Sequence, residues 1–427
     1  MKRRSHAIRA KGMIAAEHTA PEQTMDRDDF YANARTDGIG PLHGIKVVEV
    51  TTTWAGPMCG CVLADFGADV IKVETPAGEV NRRLLPMVPG TALGIPNETV
   101  NRNKRGLTLD LHAAECQALL KRLVQGADIF IENFRPGALA EWGLGYADLK
   151  QVKPDLIYVS ISGFGQFGTL HERAGYDPIA QNYSGWASLN GDPNGGPTKG
   201  PTYLGDDLAG LHGALGALAA LQHRARTGEG QHIDVALLDC LLFQSNGLPT
   251  AGALELPLAR MGNQFAAATP VNNYACSDGN VFAGVLLDTH WQRLAAELGR
   301  ADLAGLKMLE RIAQRPLLDG LLRDYCAART VAQVVARFSA MGLAVTKVNT
   351  YAEMAREPHV ASRDMLQPVE LANGQTVPLT GPPVKFSRTP TRIRRRAATL
   401  GEHTEAILAE LGCKPETIAD LKKQGVI

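Results

Sequence analysis

The chain has 427 residues, with 45% hydrophobic and 21% charged side chains, and 44 Lys+Arg balance 44 Asp+Glu. This composition excludes a wholly disordered chain, and the absence of a basic excess argues against a nucleic-acid binder while leaving phosphate binding by a few Arg or Lys open. At about 150 residues per domain, the length suggests two or three domains.

The first dozen residues carry Lys2, Arg3, Arg4, Arg9 and Lys11 without an acid. No apolar stretch follows, so secretion is not expected. Residues 1–40 lack periodicity and read as an N-terminal extension. From Pro41 the pattern sharpens. Strands are predicted at Ile45–Val50, Val70–Glu74, Leu107–Leu111, Asp128–Glu132, Leu156–Ser162 and His232–Leu237, on β-branched and apolar runs. Helices are predicted between them, at Met58–Phe66, Ala113–Gln125, Ala138–Trp142 and Asp206–Arg226, with another beginning at Leu238. Thr169–Pro201, rich in Gly, Pro, Asn and Asp, reads as a long functional loop. Strands alternating with helices imply a parallel sheet with right-handed crossovers. Residues 275–345 change texture and read as a smaller domain. Pro378–Pro390 reads as extended, and a last helix is expected at Glu405–Leu411, ending at Gly412.

No apolar run reaches about 18 residues, so no membrane span is expected. The seven cysteines are odd in number, widely spaced and without CxxC, which reads as reduced thiols in a cytoplasmic protein. Cys59 and Cys61 read as small residues packed on a helix. The histidines show no HxxxH or HExxH, so no metal site is expected, and His232 reads as a packed core residue. No GxSxG or P-loop occurs.

Gly163–Gly168 matches GxGxxG, but it follows a late strand and precedes no helix signal, so a Gly-rich turn is favoured over a dinucleotide site. Gly210, Gly213 and Gly216 fall three apart on the predicted helix, a stripe that would let another element approach closely. Asp206 and Asp207 open that helix. Asp206 suits an N-cap. That is the favoured reading from the residues alone; the other is a nucleophilic carboxylate whose ionisation is favoured by the helix dipole and free amides. Arg392, Arg394, Arg395 and Arg396 form a basic cluster, either a solvated face or a phosphate contact.

Several short motifs follow one another in order. They are Pro41–Gly44, Ala55-Gly56-Pro57, Asp65–Glu74, Asn101–Arg105, Glu132–Gly137, Gly163-Phe164-Gly165, Gly175-Tyr176-Asp177, Gly205-Asp206, Thr227–Gln231 and Leu400–Thr404. This order, over Pro41–Ile427, resembles the class III CoA-transferases, which include formyl-CoA and carnitine CoA-transferases and the acyl-CoA racemases. The resemblance implies an α/β fold: a Rossmann-like parallel-sheet large domain plus a smaller α+β domain, in an interlocked homodimer. The large domain would span 41–240, a linker and small domain 241–349, and the chain would return to the large domain over 350–427.

The resemblance also implies CoA transfer from an acyl-CoA to a free carboxylic acid. Asp206 would attack the thioester to give an aspartyl anhydride, and CoA thiolate would convert it to an aspartyl-CoA thioester. CoA thioesters are then substrates, with no tightly bound cofactor. Tyr176 and Asp177 join Asp206 as implied catalytic positions. Trp54, Ala55, Thr75, Leu109, His112, Asn133, Phe134 and Arg135 are the implied CoA contacts. A position often basic in relatives is Glu141 here, so Arg135 or Arg102 would have to serve the phosphates. Trp54 stands where formyl-CoA transferase has Gln, and Gln264–Ala268 replaces its glycine run; both argue against oxalate. The alternative reading is an α-methylacyl-CoA racemase using Asp206 as acid and base. Racemase relatives carry His at the Tyr176 position, and Tyr is a poor base near neutral pH.

Overall fold

The computed structural model describes residues 25–427. The basic stretch of the first dozen residues lies outside the described residues. The later part of the extension includes a helix, Arg27–Tyr31, begun by the Asp26 side chain accepting from the Asp29 amide.

Six strands form one parallel sheet: β1 (Lys46–Val50), β2 (Asp69–Glu74), β3 (Lys104–Thr108), β4 (Ile129–Glu132), β5 (Ile157–Ser162) and β6 (His232–Ala236). Their order is β3-β2-β1-β4-β5-β6. This is the Rossmann order, and it reverses direction between β1 and β4. β4 and β5 are buried along their whole length, as expected where helices cover both faces.

Alternation along β1 divides its side chains between two cores. Val48 and Val50 pack with helix Ala114–Gln125 and the C-terminal Ile407, Leu408, Ile418 and Leu421. Val47 faces the other side, with Cys59 and Leu63 of helix Ala55–Asp65 and Ala209, Ala214 and Ala217 of helix Leu204–Thr227. The glycine stripe does what its spacing suggests. A Cβ on Gly210 would stand 2.7 Å from Met58 Cβ and 2.8 Å from the Ala55 carbonyl oxygen, so the two helices lie almost backbone to backbone. Gly228, in the left-handed region, closes the long helix.

Beyond the large sheet, β7 (Val271–Cys276), β8 (Gly279–Gly284) and β9 (Ala344–Lys347) form an antiparallel sheet. It packs with Trp291, Leu294, Leu318, Val334 and Phe338 into a separate core. β10 (Leu366–Glu370) and β11 (Thr376–Thr380) make an antiparallel hairpin nearer the C-terminus.

A buried ionic network crosses β1 to β3. Glu49 pairs with Lys72 at 3.2 Å and Lys104 at 2.7 Å, and Lys72 reaches Glu79 at 2.9 Å. Such charges are tolerated inside only because each is paired and hydrogen-bonded. The network also supports the loop after β1, because Thr51 Oγ1 donates to Glu49 and Glu79 accepts from the Thr53 amide at 2.8 Å.

Several local expectations are corrected. Thr169–Pro201 contains helices Asp177–Tyr183 and Trp186–Leu189, the first carrying Pro178 in its opening turn, where a missing N–H costs nothing. The third strand runs over Lys104–Thr108, earlier than Leu107–Leu111, because buried Lys104 is a network member and not a loop charge. Glu405–Leu411 is not the last helix; Pro415–Gln424 follows Gly412. His232 sits exposed on edge strand β6, with its Nε2 2.8 Å from Ser160 Oγ. Cys59 and Cys61 are buried on their helix as expected, and the seven cysteines are free. In the basic cluster, Arg394 donates to the Ala64 and Asp65 carbonyls and Arg396 pairs with Glu402.

Candidate active site

The loops after β1 and β4 leave the carboxyl edge of the sheet where the strand order reverses, the place where open α/β sheets form a ligand crevice. They are tied together: the Asn133 amide donates to the Thr52 carbonyl at 2.8 Å, and Asn133 Oδ1 accepts from the Thr52 amide at 2.9 Å. Thr53 holds a φ of 66°, a left-handed conformation unusual for a β-branched residue. That turn presents Trp54 to the crevice and starts the following helix at Ala55.

The long helix approaches from the other side and begins at Leu204. Asp206 is therefore its third residue, not its N-cap. The capping role falls to Asp177, whose Oδ1 accepts from the Gly205 amide at 2.7 Å and whose Oδ2 accepts from Gln181 at 2.8 Å. Among the described residues no group donates a hydrogen bond to the Asp206 carboxyl, whose pKa is pushed up to about 7 by burial, then by the Asp177 and Asp207 charges. This overturns the expectation of a low pKa: at this depth desolvation outweighs the helix dipole. Asp177 and Asp207 are also raised, chiefly by burial. Trp54 Nε1 donates to Asp207 Oδ1 at 2.6 Å, which opposes that rise, and its indole packs on Tyr203 with centroids 5.2 Å apart.

Asp206, Trp54, Ala55, Asn133, Phe134, Arg135 and Tyr176 line one cavity. Thr75, Leu109, His112 and again Phe134 line a second, over the ends of β1, β2 and β3. Thr52 and Phe134 belong to both and mark the seam between them. The second cavity has an aromatic wall, with Trp142 edge-on to His112 at 4.7 Å and to Phe134 at 5.9 Å. The Phe134 amide is held by Glu132, a carboxyl whose pKa burial pushes up to about 7.

Ten of the eleven sequence candidates thus line two adjoining cavities, while Asp177 stands behind the wall as a helix cap. Arg102 does not reach the cavities' linings; it is buried against Asp65 at 2.6 Å. Arg135 is paired with Glu141 at 2.7 Å, on the surface. The sequence reading did not single out Arg173, which also lines the Asp206 cavity, or Trp142 as a wall. Arg173 lay three residues before Tyr176 in a stretch read only as loop. Gly163 serves close packing: an added Cβ would stand 2.5 Å from Gly175 Cα, which fixes the Arg173–Tyr176 segment against the end of β5.

Comparison with known proteins identifies the family. The sequence model of CoA-transferase family III matches residues 42–404. The chain is 37% identical to the succinyl-CoA–L-malate CoA-transferase beta subunit of Chloroflexus aurantiacus, over 91% of this chain and 98% of that protein. It is 35% identical to the succinate–glutarate CoA-transferase of Agrobacterium fabrum, over 87% and 96%. A crystal structure of a CAIB/BAIF family protein from Brucella suis superposes with a TM-score of 0.79 at 36% identity, covering 87% of this chain and all of that one.

Proposed function

The chain belongs to CoA-transferase family III and is a CoA-transferase; from that premise we propose that Asp206 is its nucleophile. The observation that carries the reading is that Asp206 supplies the one carboxyl on the wall of its cavity among the described residues, and that this carboxyl takes no hydrogen bond. A carboxylate tied down by donors would be a poor nucleophile, whereas this one is held by its helix and left open.

In the proposed course, an Asp206 oxygen attacks the thioester carbonyl of an acyl-CoA and the carbon–sulfur bond breaks. A mixed anhydride and CoA thiolate result. Thiolate attacks the aspartyl carbonyl and expels the donor acid, leaving an aspartyl-CoA thioester. The acceptor carboxylate attacks that thioester, its carbon–sulfur bond breaks, and a second mixed anhydride and CoA thiolate result; thiolate then attacks the acceptor's carbonyl in this anhydride, giving the new acyl-CoA and freeing the Asp206 carboxylate. The second cavity, with Thr75, Leu109, His112 and the Trp142 wall, receives the nucleotide end of CoA. The arm then passes the seam at Thr52 and Phe134 to reach Asp206. Burial serves this chemistry, since a desolvated carboxylate attacks more readily than a hydrated one and water would hydrolyse the anhydride.

The named relatives act on succinyl-CoA with malate, or on succinate and glutarate. The proposed substrates are accordingly short dicarboxylic acids and their CoA thioesters. Trp54 in the wall leaves a less polar surface than oxalate would want. Racemisation would need a second acid–base group in the cavity; Tyr176 stands there, 67% exposed. The reading takes 41–240 with 350–427 as the large domain and 241–349 as linker and small domain. It takes the enzyme as a cytoplasmic homodimer; exposed Phe243, Leu254 and Leu256 in the linker support the dimer.

The test is Asp206→Ala assayed with succinyl-CoA and isotopically labelled succinate, alongside hydroxylamine trapping in the wild type. Loss of label exchange with retained circular dichroism, and an Asp206 hydroxamate by mass spectrometry, are expected. Undiminished exchange in the variant refutes the assignment. Solvent deuterium entering the α-carbon of a branched acyl-CoA without any acceptor acid would favour the racemase instead.

A further inference from the structure

Charge is unevenly distributed around the Asp206 cavity. Asp206 is on the wall, and the Asp177 and Asp207 carboxyls are near enough to act on it. Two cations line the same cavity, Arg135 and Arg173. Arg135 directly follows Phe134 at the seam and is engaged by Glu141. Arg173 lines the Asp206 cavity and not the second one, on the segment that leads through Tyr176 to Asp177 and is fixed by the Gly163–Gly175 contact. Among the described residues it makes no ion pair. Its guanidinium lies over the rings of Phe164 at 5.6 Å and Tyr183 at 5.1 Å. Stacking of this kind orients a guanidinium while leaving its N–H fork free for a carboxylate.

The acyl group of a dicarboxylic CoA thioester carries a distal carboxylate into a cavity that has the Asp206 carboxyl on its wall and those of Asp177 and Asp207 acting on it from nearby. Such like-charge contacts weaken binding unless a cation stands close. Resting on the CoA-transfer reading above, we infer that Arg173 reads the distal carboxylate of the donor acyl group and of the acceptor acid, and so sets a preference for dicarboxylic over monocarboxylic acids. Arg suits this task better than Lys, because its fork meets both carboxylate oxygens at once.

The test uses the full chain with succinyl-CoA as the common donor and glutarate or butyrate as acceptor, so any effect on the donor cancels. The wild type is expected to favour glutarate, and Arg173→Gln to reduce the glutarate-to-butyrate ratio of kcat/KM by about 10- to 100-fold. Arg173→Lys should recover part of the ratio. An unchanged ratio overturns the inference, and if inhibition by free CoA weakens at the same time, the guanidinium holds a phosphate instead. A wild type that transfers well to both acids without preference also overturns it. A wild type that moves no CoA between any acids counts against the transfer reading itself.

Discussion

Asp177 caps the helix that carries Asp206: its Oδ1 accepts a 2.7 Å hydrogen bond from the Gly205 amide, 28 residues along the chain. A carboxyl that sequence resemblance grouped with the catalytic positions therefore has a visible structural task, and Asp206 is relieved of it. Asp177→Ala would leave the buried Gly205 N–H without a partner and is expected to cost about 1–3 kcal/mol. Asp177→Asn keeps an acceptor oxygen and should cost less. Equal urea midpoints for the two variants would show that the cap carries no weight.

Asp206 has a pKa pushed up to about 7, so its ionised form, the one proposed to attack, fills as pH rises through that value. The kcat/KM of the enzyme is expected to rise with pH up to about 7 and level off above it. Asp207→Asn removes one of the charges that raise Asp206 while keeping an acceptor for Trp54 Nε1. Its rising limb should shift to lower pH. A limb that stays in place would remove Asp207 from the account.

The same shift has a consequence for stability. An unfolded Asp titrates near 3.9. Between about pH 4 and 7 the folded protein holds a proton here that the unfolded chain has lost, so this group's contribution falls as pH rises across that window. Asp206→Asn removes the titration. The variant should match the wild type near pH 4 and be more stable at pH 8, by up to about 4 kcal/mol. Chemical denaturation at the two pH values measures the difference, and a less stable variant at pH 8 would contradict the burial argument.

Gly210 packs against the main chain of the helix that begins at Ala55. Alanine there gains about 1 kcal/mol of helix propensity. Its Cβ, however, meets a carbonyl oxygen at 2.8 Å, and backbone cannot give way as a flexible side chain can. Gly210→Ala is expected to be net destabilising by about 1–3 kcal/mol, and to lower kcat by moving Asp206 relative to Trp54. A stabilised and fully active variant would show that the two helices separate freely.

Lys104 and Lys72 both pair with Glu49 in the buried network. Lys104→Met would leave Glu49 short of one cation and is expected to cost about 3–5 kcal/mol. The network also holds the Thr51–Trp54 loop, so a surviving fraction should bind acyl-CoA more weakly. A midpoint within error of the wild type would mean that Lys72 alone compensates.

Strand spacing, the glycine stripe and the motif order in the sequence sufficed for the parallel-sheet class, a close approach of some element to the long helix, and the family. These properties are local or periodic: side chains alternate on a strand, and small residues recur on one face of a helix. Most of the candidate positions that line the two cavities sit in short motifs at strand ends, such as Asn133-Phe134-Arg135, which consecutive residues display directly. Other properties depended on partners far apart in the chain. Lys104 became a core residue only because Glu49 lies two strands away, and Arg102 lost its expected phosphate role to Asp65. The Asp206 pKa reversed its expected direction because burial and two neighbouring carboxyls act through space. Desolvation and charge pairing depend on the whole surrounding volume, which no window of consecutive residues contains.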